Sequence, residues 1–118
     1  MARPPSTPQP VVTDRPENGR FEIAVDGEVA GFAAYHSVGD NLDFTHTEIE
    51  DRFEGRGLGS ILIRAALEAT RERGMGVLPH CPFVRSFIER HPEYIELVPP
   101  LRRRQFGLPQ VPDSGVTQ

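Results

Sequence analysis

From Arg20 to Asp26 apolar and polar positions alternate, with Phe21, Ile23 and Val25 on one side and Glu22 and Ala24 on the other. A period of two is that of a half-buried strand. Asp26-Gly27 follows as a hairpin signal. Glu28 to Val38 reads as a second strand, apolar on both faces through Val29, Ala30, Phe32, Ala33, Ala34 and Tyr35, and Gly39-Asp40-Asn41 reads as the next turn. Leu42 to Glu50 completes an antiparallel meander, which needs helices on at least one face. The period then changes. Leu58, Ile61, Leu62, Ala65, Ala66 and Ala69 form one helical stripe, with Arg64 and Glu68 outside it and Gly74 as the stop. Met75 to His80 is a short apolar strand. Cys81-Pro82 opens a second helix, with Pro82 suited to its first position and Phe83, Val84, Phe87, Ile88 and His91 as its buried stripe. His91-Pro92 ends that helix, and Glu93 to Val98 is a last strand or an extended cap. The order β-β-β-α-β-α predicts a single small α/β (α+β) domain, a meander followed by α-β-α.

The ends lack any such period. Residues 1–19 are rich in Pro and polar residues and read as a disordered lead. Residues 99–118 read as a similar tail apart from Leu101, Phe106 and Leu108, leaving 20–98 as the folded core. A core of that size is only marginally stable without a ligand or partner. The formal net charge is −4, and the one basic run, Arg102-Arg103-Arg104, lies in the expected tail, so a nucleic-acid partner is not expected. The chain contains no Lys and a single Cys, which excludes an internal disulfide and argues against a Cys-based metal site. No stretch has the length of a membrane span and no apolar signal segment follows Met1, so the expectation is a cytoplasmic protein, monomeric or weakly dimeric.

Chemistry concentrates where the meander meets the first helix, at Glu54-Gly55-Arg56-Gly57-Leu58-Gly59-Ser60. The first turn of a helix leaves amides without intrahelical acceptors and carries a partial positive charge. Glycines let a phosphate approach that backbone. The stretch reads as an anion cradle, most naturally for a diphosphate, or as a Gly-rich turn that binds nothing. A nucleoside-triphosphate loop would need Gly-Lys, which is absent. The dinucleotide fingerprint fails at Ser60, which stands where the third Gly belongs, and the loop follows a meander rather than the opening strand of a βαβ unit.

The arrangement resembles the GNAT N-acetyltransferase superfamily, whose signature is Gln or Arg, two residues, Gly, one residue, then Gly or Ala. Gly55 and Gly57 match the two small positions. Arg52-Phe53-Glu54-Gly55-Arg56-Gly57 satisfies the pattern, whereas anchoring on the helix start puts Glu54 at its head, a departure. His46-Thr47-Glu48-Ile49, Pro79-His80-Cys81-Pro82-Phe83-Val84 and His91-Pro92-Glu93-Tyr94 resemble the short GNAT-like group of minimal acetyltransferases. The resemblance implies acetyl-CoA as co-substrate and an amine as acceptor. It implies that main-chain groups near Thr47 and Ile49 hold the pantetheine, that Glu54, Gly55, Arg56, Gly57, Leu58, Gly59 and Ser60 hold the diphosphate, and that Phe83 borders the coenzyme. It implies no metal.

Larger members often carry a Tyr acid on the second helix. Here Ile88 stands there, beside Phe87, and neither can donate a proton. Cys81, at that helix's N-terminus, could be an acyl-accepting nucleophile, a proton donor, or a buried neighbour of the coenzyme. Glu48 is the preferred base, for direct attack of the amine, with His46 sharing the task or orienting it. By the period of two, His46 and Glu48 should follow Leu42 and Phe44 toward the core, unless a bulge flips the register. Glu50, Asp51 and Glu54 add negative charge that could steer a cationic acceptor or be a solvated loop. Two other classes remain open: a non-catalytic coenzyme A or acyl-CoA binding module, and a partner-binding protein working through its ends.

Overall fold

The computed structural model describes residues 9–109. Five strands form one sheet in the order β1-β2-β3-β4-β5: β1 (Val11–Arg15), β2 (Arg20–Val25), β3 (Glu28–Val38), β4 (Asn41–Ile49) and β5 (Gly76–Pro79). The first four are antiparallel, and β5 runs parallel to β4. Two helices, α1 (Leu58–Glu72) and α2 (Pro82–Arg90), supply the crossover to β5 and the segment after it. The β2–β3 turn forms as expected. Asp26 and Gly27 have φ of 55° and 82°, and a tight hairpin turn of the mirror-image kind needs positive φ at both central residues.

Parts of both stretches expected to be disordered, 1–19 and 99–118, are folded. Val11–Arg15 is an edge strand formed by hairpin pairing with Arg20–Ala24, and its own five residues carry too few apolar positions to show a period. Arg73 ties it to α1 through an ion pair with Asp14, and the Tyr35 hydroxyl donates to Asp14 at 2.5 Å. At the other end, Pro100–Arg102 and Arg104–Phe106 are 3-10 turns that bury Phe106 and Leu108. Pro92–Leu97 is also 3-10 rather than a strand or extended cap. The rest of the two expected disordered stretches, 1–8 and 110–118, lies outside the described residues.

The main part of the core lies on the face of the sheet that carries Phe21, Ala33, Tyr35, Leu42 and Phe44. Phe21, Tyr35 and Phe44 form an aromatic cluster with centroids 5.2–6.2 Å apart. The buried face of α1 is Leu58, Gly59, Leu62, Ile63, Ala66, Leu67 and Thr70. It is turned by about one position from the expected stripe, because Ile63 and Leu67 offer larger apolar surface than Ala65 and Ala69, and Ile61 is left 41% exposed. On α2, Val84, Phe87 and Ile88 are buried as expected, but Phe83 is 39% exposed, and His91 caps the end with its Nδ1 3.0 Å from the Phe87 carbonyl oxygen.

In β4 the bulged alternative is the one that forms. Tyr35 pairs with Phe44 but Ala34 pairs with His46, so Thr45 is an extra residue on β4. One extra residue exchanges the two faces of everything beyond it. Leu42 and Phe44 point into the core at 1% exposure, yet His46 and Glu48 do not follow them. Their side chains are each 59% exposed and stand on the opposite face, where the His46 ring lies 5.8 Å from that of Phe32. Thr47 and Ile49 take the inward places.

Candidate active site

The pairing of β4 with β5 ends at Phe44 and Pro79. Beyond that point β4 continues to Ile49, while β5 turns through His80 and Cys81 into α2. The gap between them widens into a cleft of about 440 Å³ lined by Thr47, Ile49, Phe53, Glu54, Gly55, Gly57, Leu58, Gly59, Ser60 and Phe83. Its floor is the N-terminus of α1. Gly55 and Gly57 have φ of 84° and 74°, a region L side chains rarely adopt, and a Cβ added to either would meet no protein atom within 4 Å. The first turn of α1 carries no acidic residue, so nothing of like charge competes for its amides. Gly59 serves differently: a Cβ there would come 2.5 Å from Cζ of Phe83, so glycine lets that ring lie across the helix start.

Among the residues read from sequence as coenzyme contacts, all but Arg56 line this cleft. Arg56 lies with Val25, Asp26, Glu28, Arg52 and Phe53 around a separate cavity of about 330 Å³, its guanidinium 5.4 Å from the Phe53 ring centroid. Phe53 was missed. It is 6% exposed and backs the cleft beneath the loop. The signal for it was a lone aromatic in the acidic run Glu50-Asp51-Arg52-Phe53-Glu54, which has no reason to be there unless it is buried.

The three candidate catalytic residues are not brought together. Cys81 is 3% exposed, stands at the N-cap of α2, and sits with Sγ 3.3 Å from Thr47 Oγ1. Its amide donates to the Phe44 carbonyl at 2.8 Å. His46 and Glu48 are on the other side of β4, joined by a contact of 3.1 Å between Nε2 and Oε1. Glu48 opens on a depression of about 740 Å³ shared with Thr47, Ile49, Glu50, Asp51, Arg52 and Glu54. Cleft and depression therefore have Thr47, Ile49 and Glu54 in common, with β4 as the partition. Glu28 raises the affinity of Arg52 for its proton, chiefly by charge and then by hydrogen bonding, and Glu50 adds to it.

The inward positions of α2 are Val84, Phe87 and Ile88, none of which has a proton to donate. Tyr94 offers a phenol nearby in sequence, but its hydroxyl donates to Glu68 at 2.7 Å and accepts from Arg64 at 3.2 Å. Burial, then the Glu68 bond, hold its pKa above the usual tyrosine value. Among the described residues no group of three or more His, Cys, Asp or Glu could hold a metal ion, and no helix is long and apolar enough to cross a membrane.

Comparison with known proteins points the same way as the geometry. Protein NATD1 of Bos taurus is 32% identical over 69 residues, 56% of this chain and 61% of that protein. Streptothricin acetyltransferase of Streptomyces lavendulae is 38% identical over 58 residues, 48% of this chain and 31% of that one. The chain thus spans less than two thirds of each of these relatives. A GCN5-like protein from Staphylococcus aureus, solved by NMR, shares the fold with a TM-score of 0.59 at 22% identity, over 75% of this chain and 87% of that one. The family model of the GCN5-related N-acetyl-transferases matches residues 20–97, from β2 through the 3-10 turn after α2, and the chain belongs to that family.

Proposed function

We propose that this protein transfers acetyl from acetyl-CoA to an amine by direct attack, with Glu48 as the base. The observation that carries the reading is the widening of β4 from β5 beyond Phe44 and Pro79 over the glycine-lined start of α1. Acetyl-CoA fits that donor set: amides at the positive end of a helix with open space before them, and an apolar flank of Ile49, Phe53 and Phe83. Thr47 and Ile49 would hold the pantetheine through main-chain groups, since the β5-facing edge of β4 is unpaired past Phe44. The amides of Gly55 to Ser60 would hold the diphosphate. When bound, the coenzyme supplies acetyl as an activated thioester. The amine acceptor enters from the depression on the other side of β4. There Glu48, directly or through water, takes the proton that the amine loses as the amide C–N bond would form and the thioester C–S bond would break, and solvent would supply the proton for the departing thiolate. His46 orients the Glu48 carboxyl. Cys81 serves as a coenzyme neighbour, its thiol buried and engaged by Thr47. Streptothricin acetyltransferase is named for a reaction of this class, in keeping with an amine acceptor.

A second reading has one observation in its favour. The absence of a proton donor on the buried face of α2 fits a coenzyme A binding module without turnover. Two measurements separate the readings. Saturating coenzyme A binds only the folded chain and, at about a hundred times its dissociation constant, adds about 2.7 kcal/mol. For a domain of about 100 residues this raises the melting temperature by on the order of 10 °C. No shift would remove both readings. A shift without free thiol release, across a panel of amines, peptides and proteins offered with acetyl-CoA, would favour the module.

A further inference from the structure

One buried carboxylate has no place in the chemistry above. Asp43 lies in the paired part of β4 at 7% exposure. A buried carboxylate is costly unless it is paired and hydrogen-bonded. His80 Nδ1 donates to Asp43 Oδ1 at 2.7 Å, and His36 Nε2 stands 3.6 Å from Oδ2. Asp43 pairs in register with Leu78, so His80 is the same-face residue two positions on, just past the last β4–β5 pair. The bond therefore ties β5 to β4 at the point where they part. The His80 ring also meets Phe106 edge-on at 4.9 Å, its amide donates to the Leu78 carbonyl at 3.1 Å, and its carbonyl accepts from Arg85 Nη2 at 3.4 Å. The next residue is Cys81, whose amide and thiol are bound to Phe44 and Thr47 on β4.

We propose that His80, held by Asp43, is a positioning residue that fixes where β5 leaves β4, and through it the Cys81 thiol and the width of the coenzyme cleft. Neither side chain touches the cleft. Each acts through the direction it gives the Cys81 backbone. The consequence for coenzyme binding rests on the function proposed above, whereas the consequence for the thiol does not.

The sole cysteine makes the test direct, in the full chain and well below its melting temperature. His80→Ala and Asp43→Ala should each speed alkylation of Cys81 by iodoacetamide about tenfold and weaken coenzyme A binding by a similar factor, the scale of one lost charge-assisted hydrogen bond. His80→Asn, whose amide nitrogen takes the place of Nδ1, should restore both to within about threefold of wild type. The double variant should be no worse than either single one, because the two residues act as one unit. Asp43→Asn, which keeps volume and acceptor, provides a folded intermediate if an alanine variant fails to fold, with an alkylation rate above wild type. Unchanged thiol protection in His80→Ala or Asp43→Asn would overturn the proposal. So would additive effects, or His80→Asn behaving like His80→Ala. A lowered melting temperature with wild-type alkylation would reduce the pair to a structural bond. Wild-type protein that binds no coenzyme A would instead sink the proposed function, while the alkylation rates still decide the role of His80.

Discussion

Glu48→Gln is expected to lower acetyl transfer by about 10²–10⁴-fold, the range for loss of a general base. The substitution keeps shape and leaves coenzyme binding intact, because Glu48 is on the far side of β4 from the cleft. Cys81→Ala should cost less than about tenfold, since a thiol that is 3% exposed and bound to Thr47 has neither access nor freedom for attack. The covalent alternative makes the opposite forecast: Cys81→Ala abolishes transfer, and protein given acetyl-CoA without acceptor gains one acetyl group that hydroxylamine removes. The chain has no Lys, so no lysine adduct can confuse the mass. An adduct of that kind, absent from Cys81→Ala, would end the case for direct attack.

Gly57→Val should abolish measurable coenzyme A binding in a folded protein. Gly57 is the residue before α1, with φ of 74°, and it lines the cleft. A β-branched residue there is strained by about 1–2 kcal/mol or more, and its methyl groups project into the space before the helix amides. Loss of two charge-assisted hydrogen bonds to a diphosphate is worth about 10²-fold or more in affinity. No protein atom lies within 4 Å of the added Cβ, so the core is untouched and circular dichroism should remain native. Wild-type affinity in a folded Gly57→Val protein, read by calorimetric titration, would remove the diphosphate from this end of the helix. Gly57→Ala, with strain but little bulk, should fall between.

What the residues announced beforehand depended on how local the determinant was. The β3 strand occupies Glu28–Val38 as read, and α1 starts at Leu58, because alternation, helical spacing and Gly stops are properties of neighbouring residues. The glycine junction was legible for the same reason. β1 was not: two valines among polar residues specify a strand only once β2 is beside them. The burial of Phe106 and Leu108 was likewise hidden, since a few apolar side chains in a Pro- and Arg-rich stretch declare nothing without the surface that receives them. The bulge at Thr45 was open as an alternative, and the sequence alone could not decide it. The alternation of Leu42, Phe44, His46 and Glu48 is unbroken as text, and only pairing with Tyr35 and Ala34 inserts the extra residue. It moved both proposed catalytic side chains out of the core and put Thr47 and Ile49 in their place.

That single residue makes β4 a matter of odd and even. Upstream of Thr45 even-numbered side chains are interior, and downstream the odd-numbered ones are. A substitution at Thr45 leaves the count alone and should be borne easily by a side chain open to water. Deleting Thr45 would remove the bulge and leave the faces as they are, because His46 would follow Phe44 directly and alternate outward. Keeping Thr45 but flattening the bulge is the change that would turn His46 and Glu48 toward the coenzyme side and Ile49 toward water, trading the furnishings of two rooms across one wall. Natural relatives should therefore show either a bulge here or a plain ladder one residue shorter. The pairing of His46 with Ala34, rather than the identity of residue 45, is the quantity that inheritance has to protect.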